Sequence, residues 1–270
     1  MDVRSLAFRT DLALLTLAGS EFEDRGSHLV VRTPNNPGYR WGNFYLLGRP
    51  PHADEVDAII ATYDADFPRS PHRAFGVDGT ANQREALVPL ASVGLRIDRA
   101  TVMTATAVHP PPRPNTEAAY RPLTSDDDWA QRVEVSIAVE EDDDEAETEG
   151  YLAFATQRAL DDRALCEAGH GAWWGAFVDG RLVSVMGLVN TGDGLARYQS
   201  VETRPRFRGR GLAGTLVHRV AAYGFDEMGA RTLVMVADPE YAAIRIYRSV
   251  GFDGTETQTQ LEQRNRATTT

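Results

Sequence analysis

The residues with the clearest chemical potential form the segment Arg204-Pro205-Arg206-Phe207-Arg208-Gly209-Arg210-Gly211. Its two glycines lie where a predicted strand ends and a predicted helix begins. Glycine lets backbone N–H groups approach a ligand closely, and a helix N-terminus carries partial positive charge. Four arginines crowd this stretch in a chain whose formal net charge is −11. The combination predicts a site for a ligand that carries several phosphate groups.

The elements around this segment alternate between strands and helices. Ser125, followed by Asp126 to Asp128, is typical of a helix N-cap with an acidic first turn, and Asp179-Gly180 predicts a hairpin turn. The pattern predicts strands at 120–123, 172–178, 182–189, 196–203, 232–237 and from 252, and helices through 133–139 and at 151–168, 212–227 and 240–250. This order predicts an α/β fold with a mixed, twisted sheet and helices on both faces.

An internal echo links the two halves of the chain. Ser92 to Leu95 matches Ser249 to Phe252, and at the same constant offset Trp41 to Leu47 matches Tyr198 to Arg204. We interpret this as a tandem duplication, the alternative being chance similarity of short apolar segments. At this offset Gly209 corresponds to His52, Gly211 to Asp54 and Tyr247 to Leu90. The first half therefore lacks the glycines and the tyrosine, and we expect it to bind no phosphate ligand.

A proline run, His109-Pro110-Pro111-Pro112-Arg113-Pro114-Asn115, separates these halves. Such a run is stiff and extended, which is typical of a connector. We therefore predict one lobe at 1–108, a linker at 109–117 and a second domain at 118–266. The first lobe is expected to complete the fold, by lending a strand or by shaping a substrate cleft as a partner subunit would.

The composition of the chain argues against several classes of protein, namely nucleic-acid-binding, membrane-spanning and metal-binding proteins. The 42% hydrophobic content with 9% aromatics indicates a globular core, and the acidic balance argues against nucleic-acid binding. No apolar run reaches the length of a membrane span and no signal peptide is evident, so we expect a cytoplasmic protein. Six histidines show no ligand spacing, so no metal is expected, and Cys166 is interpreted as a semi-buried structural thiol.

Two motifs together resemble the GNAT superfamily of acyl-CoA-dependent N-acetyltransferases. Arg206, Gly209 and Gly211 fill the pyrophosphate signature Gln/Arg-x-x-Gly-x-Gly/Ala, and Ala243 to Phe252 resembles the second signature, Ala-Ile-x-Leu-Tyr-x-x-x-Gly-Phe. The resemblance covers roughly residues 118 to 262. It implies a GNAT-like fold in two lobes, the N-terminal lobe being a degenerate half-repeat, and acetyl-CoA as co-substrate. Glu240 departs from the family's usual Asn.

The resemblance also implies roles for particular residues. Tyr247 corresponds to the proton donor for the coenzyme A thiolate, and Glu202 is a candidate general base. Their alternatives are packing on the sheet for Tyr247 and a carboxylate directed to solvent for Glu202. Backbone N–H groups near Val201 and Thr203 are implied to hold the oxyanion. The implied acyl-CoA-binding residues are Val201, Thr203, Arg206, Arg208, Gly209, Arg210, Gly211, Leu212 and Ala213.

The function that this resemblance implies is N-acyl transfer from acetyl-CoA to a small-molecule or peptide amine, by a monomer or a homodimer. A non-catalytic acyl-CoA sensor or scaffold is the alternative, and a P-loop nucleotide-binding protein is disfavoured because the chain has no lysine. The acidic stretch Glu140 to Glu145 is either a solvated loop or an acidic rim that draws in a cationic acceptor.

Overall fold

The computed structural model describes residues 1–36, 39–81, 84–142, 150–240 and 243–263. The helices are α1 (Leu6–Leu17), α2 (Val56–Asp66), α3 (Val88–Ser92), α4 (Asp126–Glu140), α5 (Tyr151–Glu167), α6 (Leu212–Asp226) and α7 (Ala243–Arg248). The strands are β1 (Glu21–Asp24), β2 (His28–Arg32), β3 (Phe44–Leu47), β4 (Arg73–Val77), β5 (Arg96–Ala105), β6 (Ala119–Pro122), β7 (Gly171–Val178), β8 (Arg181–Gly192), β9 (Leu195–Thr203), β10 (Thr232–Ala237) and β11 (Asp253–Gln263).

The local signals read from the sequence are confirmed. Ser125 Oγ accepts a hydrogen bond from the Asp128 N–H at 3.1 Å, and the Asp128 carboxylate accepts from the Ser125 N–H at 3.2 Å, so α4 begins with a capping box. Asp179 and Gly180 adopt φ values of 51° and 77°, as a tight hairpin between β7 and β8 requires. The α/β class with mixed strand pairing is also confirmed.

The chain divides into two compact units. Unit 1 contains Met1–Val102, Val236–Pro239 and Gly254–Thr270, and unit 2 contains Met103–Met235 and Glu240–Asp253. In unit 1 the strand order is β1-β2-β3-β4-β11-β5, and in unit 2 it is β10-β9-β8-β7-β6.

Unit 1 buries both faces of its sheet because alternate side chains of its strands point to opposite sides. On one face Val30, Tyr45 and Phe75 pack with Val56 and Tyr63 of α2. The other face carries Val31, Phe44 and Leu46, which pack with Phe8 and Leu15 of α1.

Unit 2 is layered in the same way. Trp173 of β7 packs beside Trp129 of α4, with ring centroids 6.4 Å apart, and the next residue, Trp174, lies on the other face against Tyr223 of α6 at 5.5 Å. The two tryptophans therefore point in opposite directions, as expected for neighbours in a strand.

Burial raises the pKa of the Cys166 thiol to about 11, which fits a packing role.

Both units contain the same strand–helix–strand connection. In unit 1, β3 and β4 are parallel and joined through α2; in unit 2, β9 and β10 are parallel and joined through α6. The connection is the local structure expected if the two halves arose by duplication.

The division into units differs from the expected domains at the C-terminal strand. β11, which the sequence places with residues 118–266, pairs antiparallel with β4 in unit 1, where Leu261 lies opposite Phe75. Leu261 is fully buried, and the buried Glu262 forms ion pairs with Arg40 and Arg96. Residues 264–266 lie outside the described residues. The C-terminal half thus supplies a strand of unit 1.

We predict that Leu261→Ala lowers the free energy of unfolding by about 2–5 kcal/mol, because it leaves a cavity in the core of unit 1. Gln260→Ala, at a half-buried position of the same strand, should change it by less than about 1 kcal/mol. Urea unfolding of both variants measures the difference. Equal effects would mean that β11 contributes little to this core.

Candidate functional site

Unit 2 contains a cavity of about 750 Å³, a volume in the range of ligand-binding pockets. Its walls come from the end of β9, the loop before α6 with the first turn of that helix, α7, the proline segment and one residue of α4. The lining residues are Pro111, Pro112, Arg113, Pro114, Val139, Val201, Glu202, Thr203, Phe207, Arg208, Gly209, Arg210, Gly211, Leu212, Ala213, Gly214, Ala243, Ile246, Tyr247 and Ser249.

The end of β9 opens towards this cavity. The described β9–β10 ladder pairs only Leu195–Arg197 with Thr232–Val234, so it stops well before β9 ends. On its other side β9 carries a bulge, where the register with β8 shifts between Val185 and Gly187 and Ser200 adopts φ 44°. A non-glycine residue rarely adopts a positive φ, so the bulge is a specific feature of this strand. The residues after it, Val201 to Thr203, line the cavity.

The loop before α6 leaves the start of that helix open. Gly209 and Gly211 adopt φ values of 75° and 73°, in the left-handed region that glycine reaches without strain. No side chain caps α6, and no described residue accepts a hydrogen bond from the N–H groups of residues 209–213. These N–H groups, with the positive end of a 15-residue helix, lie at the cavity wall and are suited to binding an anion.

The arginines of the loop have different environments. Arg208 forms an ion pair with Asp142, and Arg210 with Glu117 at 2.7 Å; both arginines line the cavity. Arg204 is buried and joins Glu134 at 2.9 Å and the carbonyl of Leu182 at 3.0 Å, which is a structural role.

Arg206 is the member of the predicted acyl-CoA-binding set that the structure does not place in the cavity lining. It lies in the 3₁₀ turn Pro205–Phe207, where successive side chains point about 120° apart. The side chain of Phe207 contacts the cavity, and the guanidinium of Arg206 lies 5.1 Å from the centre of its ring.

Tyr247 lies on α7 in the cavity wall, and its side chain is only 5% exposed. The residue one turn before it, Ala243, lines the cavity as well, so this face of α7 is directed at the pocket. The two signatures found in the sequence therefore meet around one cavity.

Glu202 lies on the same stretch of β9 and also lines the cavity. Ser136 of α4 donates a hydrogen bond to Glu202 Oε2 at 2.7 Å. Burial raises the pKa of Glu202 above its ordinary value, and this effect exceeds the opposing ones of the Ser136 hydrogen bond and the positive charge of Arg132. The carboxylate is therefore more basic than a solvated glutamate, which is the property that a general base needs.

A buried ion pair whose charges act on Glu202 was not predicted from the sequence. Arg132 of α4 and Asp162 of α5 pair at 2.5 Å, and the Arg132 guanidinium lies 4.1 Å from the centre of a Trp173 ring. Arg158 extends the cluster, 3.5 Å from Asp162 and 3.2 Å from the side-chain oxygen of Gln199. Charged residues on amphipathic helices are usually solvated, so the sequence offers no signal that these are buried.

The proline segment is the second feature whose place in the structure differs from the sequence prediction. The segment belongs to unit 2, and Pro111 to Pro114 line the cavity. Asn115 fixes it to α6: its N–H donates to Thr215 Oγ1 at 2.8 Å, and its side-chain amide donates to the Arg210 carbonyl at 3.0 Å. The segment predicted as a linker is therefore a wall of the pocket.

The equivalent position in unit 1 is filled by the protein itself. Before α2, the Glu55 carboxylate accepts from the His52 N–H at 2.7 Å and pairs with Arg49 at 2.6 Å. An internal carboxylate thus already binds an N–H group of this turn, and Leu90, which corresponds to Tyr247 by the sequence offset, is fully buried. These contacts give a physical reason for the prediction that this half binds no phosphate ligand.

Within the ranges given above, no three His, Cys, Asp or Glu side chains come together as metal ligands do. No described helix is both long and apolar enough to cross a membrane. Of the acidic stretch, Asp143 to Glu145 lie outside the described residues.

Comparison with known proteins gives the following matches. Residues 133–252 match the family "Acetyltransferase (GNAT) family". No curated protein sequence matches the chain.

Among solved structures, a GCN5-related N-acetyltransferase from Kribbella flavida is 16% identical, with a TM-score of 0.64 over 96% of each chain. A tandem GNAT protein from the clavulanic acid biosynthesis pathway is 15% identical, with a TM-score of 0.54 over 96% of this chain and 88% of its own. A functionally unknown conserved protein from Staphylococcus epidermidis is 12% identical, with a TM-score of 0.68 over 92% of this chain and 96% of its own. Because these sequence identities are low, the structural similarity shows a GNAT-like fold and no more than that.

We predict that Glu202→Gln raises the free energy of unfolding at pH 8, because the amide carries no charge for burial to disfavour. A carboxyl whose pKa is raised on folding destabilises the folded protein above that pKa, and this cost vanishes below the unfolded value of about 4.5. Urea unfolding should therefore show the gain at pH 8 and lose it at pH 4.

The exposed Glu21 of β1 provides the control: Glu21→Gln should change the free energy of unfolding by less than about 0.5 kcal/mol at either pH. A gain for Glu202→Gln of the same size at pH 4 and pH 8 would contradict the raised pKa of Glu202.

Proposed function

We propose that the chain is an acyl-CoA-dependent N-acyltransferase that acts on a primary amine, and the match of residues 133–252 to the GNAT acetyltransferase family supports this. The observation that carries the proposal is the cavity of unit 2. One pocket contains the uncapped start of α6, the open end of β9 and the side chain of Tyr247. Phosphate binding, carbonyl activation and proton donation would thus be adjacent.

The proposed donor is acetyl-CoA. Its diphosphate would accept hydrogen bonds from the N–H groups of residues 209–213, where the helix dipole favours negative charge. The thioester would lie beside β9 near Val201 and Thr203, whose backbone N–H groups would hold the developing oxyanion. Arg208 and Arg210 supply further positive charge at the same wall of the cavity.

The proposed reaction is a direct transfer. The amine nitrogen attacks the thioester carbonyl and forms a tetrahedral intermediate, and its proton passes to Glu202 directly or through water. The carbon–sulfur bond then breaks, and the coenzyme A thiolate takes a proton from the Tyr247 hydroxyl. A phenol of pKa near 10 is a suitable acid for a thiolate whose conjugate acid has a pKa of about 8.5. The products are an amide and free coenzyme A.

Support for Glu202 as the base comes from its environment. It lines the cavity, its hydrogen bond to Ser136 fixes one carboxylate oxygen, and burial raises its pKa. A base of this kind accepts a proton from an ammonium more readily than a solvated carboxylate does.

We predict that the wild-type protein binds acetyl-CoA with a Kd below a few hundred micromolar. Isothermal titration calorimetry of the full chain measures this directly. The expected stoichiometry is one donor per chain, because Glu55 occupies the equivalent position of unit 1. Absence of binding at these concentrations would refute the proposed function, and two sites per chain would refute the assignment of unit 1.

We predict that Tyr247→Phe retains donor affinity and lowers turnover by roughly 10²–10⁴-fold, since it removes the proposed proton donor and keeps the aromatic ring. Release of the coenzyme A thiol over a panel of primary amines measures turnover. Ser249→Ala is the matched control: Ser249 lines the same cavity, but its hydroxyl donates to the Ile246 carbonyl at 2.7 Å. Unchanged turnover in Tyr247→Phe would remove Tyr247 from this role.

A further inference from the structure

We propose that Arg113, on the proline segment, binds a phosphate group of the donor alongside the loop before α6. The inference rests on the proposed function and adds a residue that neither of the two signatures contains. Arg113 lies about a hundred positions before the glycine loop in the sequence, yet it lines the same cavity as Gly209 and Gly211.

The backbone of Arg113 lies directly against the N-cap of α6. A Cβ atom added to Gly211 would lie 2.4 Å from the Arg113 carbonyl oxygen, so the glycine is required for this approach as well as for its positive φ. Two residues earlier in the segment, the buried Pro111 would contact a Cβ at Gly214 at 3.4 Å. The segment therefore packs along the first turn of the helix whose N–H groups form the anion site.

The position of Arg113 is fixed from both sides. Pro112 and Pro114 flank it, and a residue before a proline is restricted to extended conformations. Asn115 anchors the C-terminal side: besides its two bonds to the α6 region, its side-chain oxygen accepts from the Ala118 N–H at 3.0 Å and the Tyr120 hydroxyl at 3.2 Å. Little backbone entropy is left to lose when Arg113 binds a ligand.

The charge environment distinguishes Arg113 from its neighbours. Three arginines line the cavity: Arg113, Arg208 and Arg210. The latter two form ion pairs with Asp142 and Glu117. Within the part of the chain that the structure describes, the Arg113 guanidinium forms neither an ion pair nor a hydrogen bond. It can bind a phosphate without breaking an existing contact, and it presents a planar fork of donors suited to phosphate oxygens.

The test compares Arg113→Gln with the wild-type protein in calorimetric titrations with coenzyme A at low salt. The expected result is a Kd about ten-fold higher, with the difference shrinking at high salt because exposed charges are screened. Arg219→Gln is the matched control: Arg219 is an exposed arginine of α6 outside the cavity lining, and its loss should leave the Kd unchanged. Arg113→Lys should recover part of the affinity.

A second titration with 3′-dephospho-coenzyme A identifies the phosphate. If the Arg113→Gln effect persists, Arg113 contacts the diphosphate; if it disappears, Arg113 contacts the 3′-phosphate. Either result supports the proposal. An unchanged Kd for coenzyme A in a folded Arg113→Gln protein overturns it and leaves the proposed function intact. Failure of the wild-type protein to bind coenzyme A is a different result, which overturns the proposed function itself.

Discussion

The site depends on a helix that begins without a cap. α6 starts at two glycines in the left-handed region, and no described group satisfies the N–H groups of residues 209–213. Backbone donors are normally paired with a side chain or water, as the capping box of α4 shows. A set without a protein partner at the wall of a cavity is suited to binding an anionic ligand, and the neighbouring elements would then support that ligand.

Each of these elements would serve a different requirement of the proposed acyl transfer. The bulge and the early end of the β9–β10 ladder open one edge of β9 to the cavity. α7 places Tyr247 in the wall of the same cavity, and Ser136 of α4 donates a hydrogen bond to Glu202. The buried position that makes Glu202 a better base also destabilises its charged form, so stability and the proposed activity make opposing demands on this residue. Unit 1 differs in that Glu55 caps its own turn and pairs with Arg49.

Much of this could be predicted because the signals are local. Glycine and arginine spacing located the loop, and Ser125 and Asp179-Gly180 located a helix start and a hairpin. Contacts between distant residues were not predictable. The Asn115–Arg210 hydrogen bond joins residues 95 positions apart, so the proline segment resembled a free connector. The pairing of β11 with β4 and the buried Arg132–Asp162 pair depend on tertiary packing in the same way. Arg206 fits the signature by spacing, but in its 3₁₀ turn it is not among the residues that line the cavity.

The central claim is that the open start of α6 binds the donor's phosphates. The most direct measurement is a titration of ¹⁵N-labelled, deuterated protein with coenzyme A, followed by the chemical shifts of its backbone amides. We predict large, saturable shifts for the amides of residues 209–213, with none for residues 52–56 before α2. Saturable binding with shifts at 52–56 and an unperturbed loop at 209–213 would contradict it.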